Sequence, residues 1–163
     1  HCISSAASDV YKRQMLTVAC HAVALGFKDD HILSVALLHD ALDKKGVNEE
    51  DLPVDEETLV AIRLLSTKYT PSKKFSIPIE QVYDNIKQNR TACFIKVLAR
   101  CHNVSVVAMS MSKEKMARYI KETEQYVLPL IDYLRYTWPD FYDAAYLLKY
   151  HIQTALEIMK RML

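Results

Sequence analysis

The chain has 163 residues, a formal net charge of +1, 50% apolar residues and 25% charged residues. This length and composition fit one globular domain, and the near-neutral charge excludes a strong field for nucleic acid or an anionic membrane surface. No apolar run is long enough to cross a bilayer. Two glycines and five prolines are few for strand-and-turn architectures, so the composition favours helix.

Residues 1–14, "HCISSAASDVYKRQ", show no regular apolar pattern. They lack the apolar centre of a secretory signal and resemble translated adapter sequence joined to a reading frame. We therefore expect native sequence to begin near Met15. Residues 15–163 are then expected to form a single domain, with a site region at about 17–110 and C-terminal helices at about 113–162.

Helical periodicity begins immediately after this leader. The pattern predicts a first helix over residues 15–25 that ends at Gly26, and a second from Asp29 to about residue 44 that ends at Gly46. Apolar residues on nearly every side of the second helix indicate a central position. Asp55 is typical of an N-cap and predicts a third helix after it.

The later part of the chain continues this pattern. A polar, cationic segment at 66–78, with two prolines, is predicted to be the longest and most mobile loop. Helices are predicted over 79–88, from 91 through 108, over 113–137 and over 141–162. Pro129 should kink or split the third of these. The whole pattern predicts an all-α protein with about seven helices.

One face of the last predicted helix is largely apolar and should face inward. It includes Leu147, His151 and Ile158, and His151 is interpreted as a core residue rather than a metal ligand. The four cysteines are Cys2, Cys20, Cys93 and Cys101, and none forms a CxxC pair. We expect reduced, mostly buried thiols in a reducing cytoplasm.

The stretch "ILSVALLHDALDKKG" ends its apolar run in His39 and Asp40. Adjacent residues on a regular helix point about 100° apart, so a shared ligand would require a helix end or a kink. An imidazole and a carboxylate together suit a divalent transition ion such as manganese or iron. Asp43 can join the same face. The alternative interpretation is a polar helix end without a ligand.

The stretch "FIKVLARCHNVSVVAMS" places Lys96, Arg100 and Asn103 at positions i, i+4 and i+7 of a helix. Two cations and an amide in one stripe suit a phosphate group and the edge of a base. The alternative is a solvated helix face.

Taken together, "ALLHD" and the downstream "IKVLARCHNVS" resemble the HD superfamily of metal-dependent phosphohydrolases. More narrowly, they are similar to the hydrolase domain of the RelA/SpoT-type alarmone enzymes, which remove pyrophosphate from the 3′ position of guanosine tetra- and pentaphosphate. The two segments read approximately H-D-x-x-E-D and K-x-x-D-R-x-H-N in that family. The resemblance covers residues 17–110, and it implies an HD-domain helical bundle.

The resemblance implies a metal centre at the first segment. His39 and Asp40 match the metal-binding pair, and the implied cofactor is a divalent ion, Mn²⁺ foremost, which would lower the pKa of a bound water. Asp43 stands where the family usually has Glu, and its implied catalytic role is to orient or deprotonate that water.

The resemblance also implies a substrate site at the second segment. Lys96 and Arg100 would offset phosphate charge, and Asn103 would hold the guanosine. His102 matches the His position of that motif. The implied partner is a guanosine nucleotide or another phosphorylated small molecule, without nucleic acid or membrane, and the sequence predicts no particular oligomeric state.

Three positions depart from the family pattern. Ala99 stands where the family has its final metal-ligand Asp, and Lys44 stands where an acidic residue is usual. The family's first metal ligand, a His about two dozen positions before the HD pair, aligns with Met15. Losing carboxylate ligands and gaining a positive charge should weaken metal binding and hydrolysis.

Two hypotheses of different class therefore remain. In the first, the chain is an HD-type phosphohydrolase, similar to guanosine 3′,5′-bis(diphosphate) 3′-pyrophosphohydrolase, with impaired activity or a different substrate. In the second, it is a catalytically dead HD-fold nucleotide-binding sensor or protein-interaction domain. The fold alone does not decide between them, since function depends on the site.

Overall fold

The computed structural model describes residues 15–66, 77–106 and 111–163, and all regular elements within these ranges are helical. The predicted all-α class is confirmed. The chain divides into two compact units, His1–Pro78 and Ile79–Leu163, which are described in turn. The predicted leader at 1–14, most of the predicted mobile loop and the predicted helical residues 107 and 108 lie outside the described residues.

The first unit contains three α-helices in its described part. Helix α1 covers 15–24, α2 covers Asp30–Leu38 and α3 covers Glu56–Leu65, with 3-10 turns at Ala41–Asp43 and Glu49–Asp51. Helices α2 and α3 pack against each other. The buried apolar residues of this unit include Val18, Ala22, Ile32, Val35, Ala36, Ala61 and Ile62.

The predicted end of α1 at Gly26 is confirmed by its backbone. Gly26 has a φ of 92°, which lies in the left-handed region that favours glycine. Its N–H donates to the carbonyl of Val23 at 3.0 Å, and the N–H of Phe27 donates to the carbonyl of Ala22 at 2.9 Å. These two bonds form a Schellman motif, which satisfies carbonyls that the helix end would otherwise leave open.

Helix α2 begins as predicted and ends earlier than predicted. The Asp29 carboxylate accepts the backbone N–H groups of His31 and Ile32 as the N-cap. The prediction that the helix runs to about residue 44 is wrong, because its last residue is Leu38. Nδ1 of the His39 ring lies 2.8 Å from the carbonyl of Ala36. This imidazole takes the carbonyl that the Asp40 N–H would bind in a continuing helix, and Asp40 leaves the helix with φ −119° and ψ 10°.

The second unit contains five α-helices in its described part. They are α4 (Ile79–Ile86), α5 (Arg90–Val106), α6 (Lys113–Glu122), α7 (Leu128–Thr137) and α8 (Tyr142–Arg161). Helix α8 packs against α5, α6 and α7. The rings of Phe94 and Phe141 stack in the core with centroids 4.6 Å apart, and both are fully buried.

The predicted interruption near Pro129 is confirmed. A π-helical turn at Thr123–Val127 separates α6 from α7, and the Leu128 N–H donates to the carbonyl of Thr123. Pro129 has no N–H to donate to the carbonyl four residues before it. The wider turn accommodates this loss without ending the helical path.

The predicted inward face of α8 is partly wrong. Leu147 and Ile158 are 56% and 58% exposed, and His151 is exposed with its Nε2 2.8 Å from Oγ of Ser105. Apolar and aromatic residues lie on more than one side of this helix, so its periodicity alone does not select the buried face. The face that packs inward consists of Ala144, Ala145, Leu148, Ile152, Leu156 and Met159.

The cysteines of α5 are buried, as predicted. Burial raises the pKa of the Cys93 thiol to about 12 and that of Cys101 to about 11. Cys20, in contrast, is exposed. Among the described residues, no helix combines the length and apolarity needed to span a membrane.

Candidate functional site

His39 lies at the point where α2 ends, and its ring orientation is set by the backbone. A carbonyl oxygen only accepts hydrogen bonds, so the 2.8 Å contact with Ala36 places the ring proton on Nδ1. In this tautomer Nε2 carries the lone pair, which is the form that ligates a metal or accepts a proton. Because α2 ends at Leu38, the fixed 100° separation of neighbouring residues on a regular helix does not apply to His39 and Asp40.

Asp40 is the least satisfied polar residue of this segment. Its Oδ1 is buried and has no hydrogen-bond partner within the described part of the chain. Burial raises the pKa of the Asp40 carboxyl, and the nearby charge of Lys44 opposes that effect. A buried carboxylate oxygen without a partner is costly, and a ligand or cation bound there would remove the cost.

Asp43 occupies the end of the 3-10 turn that follows. The Ser66 hydroxyl donates to its Oδ1 at 2.7 Å. This bond fixes the carboxylate, which is half-buried. Its negative charge also raises the pKa of Asp40, so the two carboxylates influence each other electrostatically.

Lys44 and Met15 meet in the same unit. Nζ of Lys44 lies 3.7 Å from Sδ of Met15. These are two of the positions at which the sequence was expected to depart from the pattern of the HD family.

These residues do not fit a tightly held Mn²⁺ ion. His39 and Asp40 offer suitable donors, and the orphaned Oδ1 of Asp40 favours a cation. Among the described residues, however, no group of three or more His, Cys, Asp or Glu is arranged to hold a metal. Two protein donors beside an ammonium group are a poor match for an ion that takes about six oxygen or nitrogen ligands.

The polar stripe of the second unit lies on α5 at the predicted helical spacing. Lys96, Arg100 and Asn103 all fall within this helix, and Lys96 and Asn103 are half-buried. Nζ of Lys96 lies 5.3 Å from the centroid of the Tyr83 ring, which is a cation–π distance. Ala99 and His102, on the same helix, are each only 9% exposed.

Arg100 is held by its own unit. It forms an ion pair with Glu122 and donates to the Thr123 hydroxyl at 3.2 Å. Its guanidinium also contacts the Tyr83 hydroxyl at 3.4 Å and lies 4.1 Å from the centroid of the Tyr119 ring. The side chain is 8% exposed. Its predicted contact with substrate phosphate stays a prediction, and that contact would require some of these bonds to break.

Sequence reasoning missed the residues that surround Arg100. An arginine on a largely apolar helix does indicate that a carboxylate must lie nearby, because a buried charge needs a partner. The chain has 20 acidic residues, however, and no spacing rule connects α5 with Glu122 on α6. The contacts of Asp43 with Ser66 and of Lys44 with Met15 were missed for the same reason.

Comparisons with known proteins returned no family model that matches the chain and no curated protein that is significantly similar to it. The resemblance to the HD hydrolases therefore stays a prediction that depends on the two motifs.

Proposed function

We propose that the chain is an HD-type phosphohydrolase domain, similar to the enzymes that remove the 3′ pyrophosphate of guanosine 3′,5′-bis(diphosphate), and that its metal site is impaired. The observation that supports this most is the buried Oδ1 of Asp40, which has no hydrogen-bond partner among the described residues and follows directly after His39, whose Nδ1 contacts the Ala36 carbonyl. Folding alone does not favour such an atom, whereas a binding site does.

In this proposal the residues of the first unit carry the chemistry. His39 and Asp40 form the ligand-binding pair at the end of α2. Asp43, fixed by Ser66, is the base that orients or deprotonates a water molecule.

The resemblance also implies substrate-binding residues in the second motif. Lys96 would contact phosphate, and Asn103 would contact the guanine or ribose. Arg100 joins them only where a phosphate competes with Glu122 for its guanidinium. The proposed substrate is a guanosine nucleotide or another phosphorylated small molecule, and the proposed compartment is the cytoplasm.

The impairment follows from three side chains. Ala99 offers no ligand atom, Met15 offers a thioether where an imidazole is usual, and Lys44 brings a positive charge. Hard divalent ions prefer oxygen and nitrogen over thioether sulfur, and like charges repel. Turnover should therefore be slow, and we derive no catalytic step through a metal ion.

A second candidate function is a nucleotide-binding sensor without catalysis. The contact between the Lys44 ammonium and Met15 favours it, because a fixed cation near Asp40 offsets carboxylate charge without any metal. Such a domain would keep the pocket of a hydrolase while lacking the means to activate water.

Pyrophosphate release and nucleotide binding distinguish these candidates. The wild-type chain and the Asp40→Asn variant are incubated with guanosine tetraphosphate and Mn²⁺, and binding is measured separately by calorimetry. The hydrolase proposal expects release that falls roughly 100-fold in Asp40→Asn. Asp30→Asn, on the exposed first turn of α2, is the matched control and should keep the wild-type rate.

The other outcomes are equally informative. Binding without release in the wild-type chain would overturn the hydrolase proposal and support the sensor. Release that is equal in the wild-type chain and Asp40→Asn would show that a different site or a contaminant is responsible. The absence of both binding and release would contradict both candidates.

A further inference from the structure

The outward side of α8 carries a line of aromatic residues. Tyr142, Tyr146 and Tyr150 are spaced four apart, so they align along one face, and Tyr136 of α7 packs edge-on against Tyr142 with centroids 6.2 Å apart. These four side chains are 44%, 55%, 66% and 71% exposed in the order Tyr142, Tyr146, Tyr150 and Tyr136. Leu147 and Ile158 are also exposed and lie further round the outward side of α8. We call these six residues the tyrosine face.

The tyrosine face is about as large as the largest apolar patch on a typical monomer, and such patches are often functional. With about 150–250 Å² per aromatic side chain, the four tyrosines alone expose roughly 500 Å². The largest apolar patch on a typical monomer is about 300–600 Å², and a standard interface buries about 800 Å² on each partner. The tyrosines with Leu147 and Ile158 therefore approach the area that one side of a stable dimer needs.

Arg135 contacts three rings of the tyrosine face, and one of its N–H groups has no acceptor among the described residues. Its guanidinium is 4.1 Å from the ring centroid of Tyr142, 5.2 Å from that of Tyr146 and 5.6 Å from that of Tyr136. Its Nε is buried without a hydrogen-bond partner, and it forms no ion pair with the described residues. Tyrosine and arginine are the residues most enriched at the energetic centres of interfaces.

Asp143 provides the opposite charge beside the same face. It is exposed, it follows Tyr142 directly on the first turn of α8, and it has no ion-pair partner among the described residues. One cation and one anion, neither in an ion pair with another described residue, therefore accompany the tyrosine face. A two-fold contact brings the same patch of both copies together, so a surface that carries both charges complements itself.

We propose that the tyrosine face is the contact surface of a homodimer, in which Arg135 of each copy pairs with Asp143 of the other. The aromatic rings would supply most of the buried area, and the two symmetric ion pairs would set the register. This inference does not depend on the proposed function.

Sedimentation velocity of the 163-residue chain over a range of micromolar concentrations tests the proposal. The wild-type chain should form dimers, and Tyr150→Glu should raise the dimer dissociation constant at least tenfold, because it places a charge within an apolar contact. Leu16→Glu, at a residue of the first unit that is 57% exposed, is the matched control and should leave that constant unchanged. A wild-type chain that stays monomeric throughout would overturn the proposal.

A charge exchange tests the proposed pairing directly. Arg135→Glu and Asp143→Lys should each weaken the dimer severalfold, and the chain with both substitutions should recover most of the wild-type affinity. Circular dichroism of each variant checks that the helices are intact. If Tyr150→Glu unfolds, Asp143→Lys at its exposed position still decides the outcome. A doubly substituted chain no tighter than the single variants would overturn the Arg135–Asp143 pairing.

Discussion

The end of α2 and the polar stripe of α5 both place charged residues on apolar helices, and they differ in where the partners of those residues lie. Arg100 on α5 has an ion pair, hydroxyl acceptors and an aromatic ring within its own unit. Asp40 at the end of α2 has a buried oxygen with no hydrogen-bond partner in the described ranges. A satisfied buried charge indicates a structural role, whereas an unsatisfied one indicates a site for something that the chain does not supply.

The paired charge of Arg100 and the unpaired oxygen of Asp40 also differ in their effect on stability. Leaving a buried polar group unpaired costs about 1–3 kcal/mol, so the Asp40 carboxyl lowers the stability of its unit unless a ligand binds. Breaking the Arg100 network, in contrast, would remove stability, because a buried charge would lose its counterion. The two segments should therefore respond in opposite directions to substitution.

The largest effect is expected at the Arg100 network. Glu122→Ala should lower the free energy of unfolding by about 3 kcal/mol, because it leaves the Arg100 charge buried without its carboxylate and removes the acceptor of the Tyr83 hydroxyl. Urea unfolding measures this change. The matched control is Glu124→Ala, which removes an exposed ion pair with Lys160 and should cost less than about 1 kcal/mol. Equal losses of unfolding free energy in the two variants would mean that the ion pair between Arg100 and Glu122 contributes no more than an exposed one.

A smaller effect of opposite sign is expected at the end of α2. Asp40→Asn should raise the free energy of unfolding at pH 7 by less than about 1 kcal/mol. The amide removes a charge that burial disfavours, but solvent at this half-buried side chain and the charge of Lys44 reduce the effect. Urea unfolding at pH 7 measures the change. A loss of stability in this variant would show that the carboxylate already has a stabilising partner.

The difference in unfolding free energy between Asp40→Asn and the wild-type chain should depend on pH, because the folded state raises the pKa of Asp40. Burial raises the pKa of Asp40 above its ordinary value of 3.8. The protonated carboxyl favours the folded state, so its contribution is fully present below pH 3.8 and is lost as the pH rises through the folded pKa. The advantage of Asp40→Asn over the wild-type chain should therefore be small at pH 3 and grow toward pH 7.

The smallest effect is expected at Lys44. Lys44→Gln removes a positive charge from the surroundings of Asp40 and should tighten Mn²⁺ binding severalfold. The gain is limited to this size because Lys44 is half-buried, so solvent already screens part of its repulsion of the ion. Calorimetric titration with Mn²⁺ measures the affinity. Lys45→Gln, at the exposed neighbouring residue, is the matched control and should leave the affinity unchanged. An identical gain in both variants would indicate a general charge effect rather than one specific to Lys44.

Local signals in the sequence were sufficient for part of the fold. Gly26 and the caps at Asp29 and Asp55 act through bonds to residues two to five positions away, so the sequence contains the information directly. The break near Pro129 is equally local, because the missing N–H belongs to that residue.

The features that sequence reasoning missed depend on contacts between distant residues or on a choice between faces. Helix α2 ends early because of an imidazole–carbonyl bond that apolar periodicity does not encode. The exposed side of α8 depends on which face its neighbours cover. The carboxylate of Glu122 reaches Arg100 only because α4, α5 and α6 fold together, and no spacing in the sequence reports that.

The most direct test is thermal unfolding with ligand. It tests the claim that the binding site is the end of α2, where Oδ1 of Asp40 has no hydrogen-bond partner in the described part of the chain. The wild-type chain and Asp40→Asn are each heated with and without guanosine tetraphosphate and Mn²⁺, because any ligand that binds the folded state raises its unfolding temperature. We predict that the ligands raise the unfolding temperature of the wild-type chain and leave that of Asp40→Asn nearly unchanged. Equal increases in both chains would contradict a role for Asp40 in binding.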